Sequence, residues 1–471
     1  MTTVPAPDLP TTPDPAPGTT ADPPPVTYRT LLRNPNFRSL WLGEALSTFG
    51  TYFTRIAIPI YVFRLTGNVL QLGLASFSSL VPALLFGLFA GALADRWSRR
   101  NTMLATDLGN AALLLVLIGL VLVPVALPIK LGGLYVLMFG AGLLRELYSP
   151  ARVAIFADVL REDELLTANS LDEATRTFCE LASYPLAAAL IWNYGPTLAF
   201  SVDAATFLLS ALLLWRVHAP MPVREAAETS NIWQEIGAGL GMIRHLPLVQ
   251  YLVLLSLIVP LLMSLITTLQ LPYVARVLGS NEAIGYPLLE GAMALGVIIG
   301  MLVIGRWGQR VPRALLLACG IGAMGATYAL LGLLPVADAR WAWSDLIRPA
   351  TQWLSTLFGW SADQSTPITP LLVLALPLTL LVGAMNSLIL ASIRTILQQN
   401  TPRHALGRVA SVVGVAAGLG FALGALVAAI GDRHEAATFV VVGITMLLIG
   451  VLSFGWQWRA TTLAATDAAR A

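Results

Sequence analysis

Apolar residues gather into twelve stretches along the chain, near 37–62, 70–94, 102–126, 132–157, 167–193, 196–216, 248–275, 284–305, 314–336, 368–393, 405–430 and 435–457. A helix that crosses a bilayer needs about 20 mostly apolar residues, and each stretch meets that length. The pattern therefore predicts an all-α integral membrane protein with twelve transmembrane helices. The longest polar link between stretches, 217–247, contains IWQEIGAGLGMIRHL, which has the makings of an amphipathic surface helix. It divides the chain into a six-helix bundle over 31–217, a linker over 218–247 and a second six-helix bundle over 248–458. Residues 1–30 read as a Pro-rich, disordered cytoplasmic tail and 459–471 as a second cytoplasmic tail.

Basic residues set the orientation. With the N-terminus inside, nineteen arginines fall in the inner segments. The outer loops hold only Arg64, Lys130, Arg276, Arg340, Arg348 and Arg433. This bias predicts an even number of spans with both termini cytoplasmic, hence a multi-pass protein of the plasma (inner) membrane.

Composition agrees. Charged residues are 11% of the chain, and mean hydropathy is +0.74. Soluble domains carry roughly 25% charged residues, so this chain cannot clothe a soluble surface. A net charge of +2 gives no reason to expect nucleic acid as a partner. Cys179 and Cys319 read as small core residues, and the four histidines show no metal-ligand spacing. No nucleotide-binding or nucleophile motif stands in a suitable context, so an enzyme is not expected. No metal or organic cofactor is implied, and nothing in the sequence calls for a second copy of the chain.

The two bundles are repeats. GALADRWSRR at 91–100 has a counterpart in GRWGQRVPR at 305–313, where Arg96-Trp97 aligns with Arg306-Trp307 and Arg100 with Arg310. ELLTANSL at 164–171 has one in ALGRVASV at 405–412. The two offsets differ by the length of the segment 337–367, so one insertion between spans 9 and 10 reconciles them. That insertion holds Trp341, Trp343, Trp353 and Trp360. Leu346, Ala350, Trp353, Leu354, Leu357 and Phe358 follow helical spacing in it, and Pro349 is placed to start the helix. It reads as an amphipathic helix on the outer membrane face, with a lid over the outer vestibule as the functional alternative.

On these stretches the chain resembles the major facilitator superfamily over about 30–458. The loop GALADRWSRR is similar to the family signature G-x-x-x-D-R-x-G-R-R/K: Gly91, Asp95, Arg96, Arg99 and Arg100 match, and Ser98 replaces the second glycine. FRSLWLGEALSTFG at 37–50, SPARVAIFADVLREDELLTANSL at 149–171 and RTILQQNTPRHALGRVAS at 394–411 resemble the drug-exporter branch that includes macrolide-efflux and enterobactin-exporter-like proteins. The resemblance implies two parallel-repeat bundles, a cavity near the midplane and transport by alternating access. It also implies a latch on the cytoplasmic side built from Asp95 and its loop. Repeat symmetry makes Arg408, at the start of span 11, the candidate partner of Asp95, with Arg306 and Arg310 in the counterpart loop; the alternative is a loop that only follows the positive-inside bias. The family's antiporter signature in span 5, G-P-x-x-G-G, is not kept: ELASYPLAAAL at 180–190 retains Pro185 without its glycines.

Ionisable residues within spans are the candidates for chemistry, because each costs a few kcal/mol at mid-membrane unless it faces a cavity or a partner. The first bundle carries Glu44, Arg55, Asp107, Arg145, Glu146, Asp172, Glu173, Arg176, Glu180 and Asp203, whereas the second has Glu290, with Arg394 near a cytoplasmic end. Arg145 is expected to pair with Glu180, and Asp172 with Arg176. Glu44 has no basic partner at helical spacing in its own span, which suits a proton carrier or a cationic cargo. Its other readings are exposure to cytoplasmic water or a pair with Arg145 or Arg176. Asp203 and Glu290 are expected near the outer ends of their spans, where water reaches them. Glu44, Arg145, Glu180, Asp203 and Glu290 are therefore the proton and substrate candidates. The expected function is export of amphipathic organic molecules driven by the proton gradient. A lipid or siderophore exporter and a non-transporting membrane scaffold are the alternatives.

Overall fold

The computed structural model describes residues 27–94, 97–218, 247–357, 368–401 and 406–468. Among them are twelve long helices, numbered here α1 (Pro35–Thr66), α2 (Val69–Ala94), α3 (Arg99–Leu122), α4 (Leu127–Val159), α5 (Glu162–Tyr194), α6 (Pro196–Trp215), α7 (Pro247–Pro272), α8 (Glu282–Trp307), α9 (Arg313–Trp341), α10 (Pro370–Asn400), α11 (Leu406–Val427) and α12 (Glu435–Ala468). Ten contain an apolar run long enough to cross a membrane. The other two, α1 and α5, fall short because they carry Arg38, Glu44, Arg55 and Arg64, and a series from Glu162 to Glu180.

Local sequence sets several boundaries. The Asn34 side chain accepts from the amides of Asn36 and Phe37 at the start of α1, and Pro35 fills the first position, where no amide is needed. Gly67 ends the helix at φ 62°, a left-handed conformation that glycine adopts without steric cost. Ser98, Asn281 and Thr369 cap α3, α8 and α10 in the same way as Asn34. Prolines sit inside eight of the twelve helices, among them Pro82 in α2 and Pro185 in α5, as spanning helices tolerate when neighbours satisfy the freed carbonyls.

The first six helices pack as α1 on α6 and α5, and α4 on α2 and α3; the last six pack as α9 on α12 and α10, α7 on α11, and α8 on α10. Two seams join the sets, α5 with α8 and α2 with α11. Gly73 lies so close to the Ala425 carbonyl that a Cβ there would overlap it. A large core runs across both sets, and a smaller one, built on Leu31, Phe37, Leu40, Met103 and Ile155, closes the first set at the end where the chain enters. That end is the termini end below, and the opposite one the far end.

The insertion differs from expectation in one respect. Its helix runs Trp343–Leu357, so Pro349 lies inside it rather than at its start. The start is fixed earlier: Ala342 turns left-handed at φ 51°, and the Asp338 side chain accepts from the Ser344 amide at 2.6 Å. The expected surface helix of the linker, Asp95 and Arg96 of the loop, both tail ends and Trp360 lie outside the described residues. So do the side chains of Arg408 in α11 and of the α2 segment around Gly91.

Candidate functional site

Two groups of ionisable side chains lie inside the helices, at different depths. The first is within the first six helices. Glu44 on α1 is 2% exposed and ion-pairs with Arg152 of α4, which also pairs with Asp172 of α5. Arg176 of α5 stands 3.7 Å from the same Glu44 oxygen. Beside them, Asp107 of α3 is 1% exposed and accepts from Ser210 Oγ of α6 at 2.6 Å. At 1.5 Å per residue, Glu44, Asp107, Arg152 and Asp172 all lie roughly 10–15 Å from the termini end of their helices. Four helices thus bring acids and arginines to one level.

These contacts correct the expected pairings. Glu44 is partnered, by Arg176 as one reading allowed and more closely by Arg152. Asp172 faces Arg152 rather than Arg176. Arg145 does not meet Glu180: it donates to the Ser79 carbonyl of α2 at 3.0 Å, while Glu180 accepts from the Tyr184 hydroxyl at 3.1 Å. The physical reason is packing. α4 lies along α2 and α3, whereas α5 lies along α1 and α8, so neighbours in sequence are not neighbours along their length. Arg152 was missed because an arginine near a helix end reads as a topology signal. Its depth, shared with Glu44 and Asp172, is the sequence signal that finds it.

The second group straddles the α5–α8 seam. Arg55, about 16 Å deeper along α1 than Glu44, is exposed, and it lies 5.8 Å from the centre of the Tyr52 ring. The groups that act on it electrostatically include Glu180 and Tyr184 from α5, and Glu290 and Tyr286 from α8. Glu290 is 5% exposed, with Tyr328 of α9 also in its field. The backbone allows this approach: a Cβ on Gly291 would sit 3.5 Å from the Tyr184 Cβ. Glu290 is therefore buried between helix sets, not solvated at a helix end as expected. Asp203 is buried as well, on α6 against Gly50 of α1, where a glycine leaves room for its carboxylate. Arg55 joins the candidates from outside the expected set.

The loop arginines act within the first set. Arg99 pairs with Asp158 and donates to the Ala154 carbonyl at 3.0 Å; Arg100 donates to the carbonyls of Leu214, at 3.1 Å, and Trp215. Arg306 and Arg310 are exposed. Bonds between the two sets occur at the far end. Arg64 Nε meets Glu282 Oε1 at 2.7 Å. Arg276, after α7, reaches the Gly67 carbonyl of the first set at 2.6 Å, and Asp432 and Glu435 of its own set, each at 2.6 Å.

Known proteins with sequences or folds like this one are transporters. Macrolide efflux protein A of Streptococcus pyogenes is 25% identical over 305 residues, which is 64% of this chain and 73% of that protein. Enterobactin exporter EntS of Salmonella paratyphi A is 24% identical over 444 residues, 89% of this chain and 93% of the relative. The crystal structure of the nucleoside transporter NupG superposes with a TM-score of 0.70 at 11% identity, over 88% of this chain and 99% of that one. A bacterial homologue of the iron transporter ferroportin, solved in an inward-facing state, gives 0.65 at 14%, over 90% and 99%. The sequence model of the Major Facilitator Superfamily matches residues 40–359, and on that match the chain, a multi-pass membrane transporter, belongs to the Major Facilitator Superfamily.

Proposed function

We propose that this chain exports amphipathic organic molecules across the cell membrane by alternating access, in exchange for protons, with both termini in the cytoplasm. The observation that carries the reading is the Arg55, Glu180 and Glu290 group on the seam between helix sets. A charge at mid-membrane costs about 2.5–3.5 kcal/mol on insertion scales. A scaffold gains nothing from that cost. In a transporter, groups contributed from both sides of a moving seam change partners as the sets rock. Half-buried Tyr52 beside Arg55 offers an aromatic face with a polar tip, which suits a cargo part ring and part charge, and Tyr184, Tyr286 and Tyr328 are buried around the group. With the termini inside, the far-end bonds of Arg64 and Arg276 tie the two sets together on the outer side.

The test is cargo-dependent proton movement in vesicles that hold the purified protein. Ethidium, a macrolide and a tris-catecholate represent cationic, weakly basic and anionic cargo. Addition of a transported cargo should collapse an imposed pH gradient, and Arg55→Ala should abolish the effect. Cargo movement that leaves the gradient untouched would overturn the coupling. A second reading, export of an anionic chelator of the siderophore kind, draws on the exposed Arg55 guanidinium and on the longer alignment with the enterobactin exporter. Preference for the tris-catecholate would favour it.

A further inference from the structure

The first ion group contains more acid than its arginines neutralise, and three of its buried oxygens have no partner. Glu44 Oε1 takes Arg152 and Arg176, but Oε2 takes nothing. Asp107 Oδ2 takes Ser210, but Oδ1 takes nothing. The Tyr148 hydroxyl of α4 is likewise buried and unpartnered. These groups share one neighbourhood: Tyr148 lies in the field of Glu44, Asp107, Arg152 and Asp172, and Asp107 in that of Glu44. Ser210, which holds Asp107, lies 3.1 Å from where a Cβ on Gly43, the residue before Glu44, would stand.

A buried polar oxygen left without a hydrogen bond costs roughly 1–3 kcal/mol, and a carboxylate more. Three together, two of them on carboxylates, call for a ligand that supplies hydrogens. A hard metal ion fits poorly, since calcium takes six to eight oxygens and magnesium a near-ideal octahedron, and two guanidinium groups already face Glu44. A proton needs only one oxygen to carry it and one to accept its hydrogen bond.

We propose that Glu44, Asp107 and Tyr148 form a proton-sharing site inside the first six helices, separate from the Arg55–Glu180–Glu290 group on the seam. The proposal deepens the exporter reading and rests on its proton coupling. A hydronium ion gives up one O–H bond as the new one forms on Glu44 Oε2, leaving water and a neutral carboxyl. That carboxyl can then turn to donate to Asp107 Oδ1 or to the Tyr148 oxygen, neither of which holds a hydrogen bond before loading. Arg152 keeps Asp172 as its counter-ion through the step, and Arg176, which loses Glu44, is left in contact with water. Arg176, with its side chain 41% exposed, is the member through which solvent reaches the group. Arg152 is thus a positioning residue, and Asp107, an ionisable residue within a span that the narrower proton and substrate set left out, is part of the site. The charged and titratable groups facing Glu44 are Arg152 and Tyr148 from α4, Asp172 and Arg176 from α5, and Asp107 from α3.

Infrared difference spectroscopy of the purified full chain, between acid and alkaline buffer, reads carboxyl protonation directly. The wild type should show protonated-carboxyl bands that Glu44→Gln and Asp107→Asn each diminish. Tyr148→Phe should shift the bands belonging to both, and Ser210→Ala the Asp107 band alone. The Asp203 band, identified by its loss in Asp203→Asn, should not move with Tyr148→Phe. If neither Glu44→Gln nor Asp107→Asn removes a band, or if Tyr148→Phe shifts none, the site is wrong. Bands that change when sodium replaces choline at constant pH would mean an alkali ion binds there and would also overturn it. The spectrum needs no cargo, so the two readings can fail separately. The expected bands without cargo-coupled proton flux would uphold the site and sink the exporter's coupling.

Discussion

The two helix sets are repeats of one plan, yet they are held together differently. In the first set, side chains of opposite charge meet inside: Glu44 with Arg152, Arg152 with Asp172, Arg99 with Asp158. In the second, glycines let backbones touch on three seams, as Gly142 against the Ser79 carbonyl does on the α2–α4 seam of the first. On the α9–α12 seam a Cβ on Gly325 would fall 2.6 Å from the Gly443 carbonyl, and one on Gly450 2.6 Å from the Gly322 amide. Gly296 and Gly383 do the same between α8 and α10, and Gly420 and Gly424 between α7 and α11. Lipid supplies no hydrophobic drive between helices, so small residues and close contact are the ordinary means of association. The second set shows that the fold closes by that means with little buried charge. The charges of the first set are therefore surplus to packing, and the difference locates the chemistry.

Removing the arginine at the centre of the charged set should have the largest effect. Arg152→Ala leaves Glu44 and Asp172 without their closest cation, and breaking a buried ion pair from one side costs about 3–5 kcal/mol. Folded yield and melting temperature in detergent should fall, and acid should reverse part of the loss by neutralising the stranded carboxylates. Adding Glu44→Gln should restore part of it at neutral pH. Equal instability of the single and double variants at every pH would show that Arg152 acts by packing alone.

The glycine seam gives the converse test. Gly443→Leu should cost ~1–3 kcal/mol through overpacking, because it drives a side chain into Ala329 and Gly325. Gly119→Leu in α3, where nothing lies within 4 Å of the added Cβ, should stay within about 0.5 kcal/mol of the parent. Thermal unfolding of the two proteins side by side decides the matter. A harmless Gly443→Leu would remove the contrast between the sets.

The bonds between the sets come next. Arg276→Ala removes the far-end tie to Gly67 and leaves Arg64–Glu282 in place. A hydrogen bond contributes a net ~1 kcal/mol, so the open–closed equilibrium should shift roughly fivefold. Spin-label distances across the far end, between the α1–α2 and α7–α8 turns, would read the change. An unaltered distance distribution would mean the tie does not hold that end.

What was legible in the sequence, and what was not, follows the same division. Twelve helices could be read because each is a local apolar run of sufficient length. Even α1 and α5, whose charges lower their apolarity, show as interrupted runs. Pairing was not legible, because it depends on which helices touch. Arg145 and Glu180 sit on consecutive helices and never meet, while Glu44 and Arg152 come from α1 and α4 and do. Burial was misjudged at Glu290 for a related reason. Position along α8 suggests a solvated end, but the α5–α8 seam buries it beside Tyr184 and Tyr286, with Tyr328 of α9 near by. The Pro349 error was local: periodicity finds the apolar face of a helix but not the cap, and here Asp338 supplies the cap from the preceding helix.

The smallest effect is expected where the two sets differ by an added segment rather than by their interiors. The Trp343–Leu357 helix belongs to the second set alone. It packs on α10 with Thr351 buried, and it exposes Leu346 to 83% and Trp353 to 62%. Trp341 and Trp343 stack at 5.3 Å beside it. Large apolar side chains exposed on one face of a short helix, with Asp345 and Arg348 paired at 2.8 Å in its first turns, suit a helix lying in the headgroup boundary. Trp353→Ser should therefore leave the melting temperature in detergent almost unchanged, within the 0.5 kcal/mol or so typical of surface positions. In vesicles, brominated lipid should quench the fluorescence of the wild type more than that of the variant. Water-borne iodide should show little difference between them. If iodide rather than lipid reached Trp353, the helix would stand off the membrane, and its place over the vestibule would be the reading to pursue.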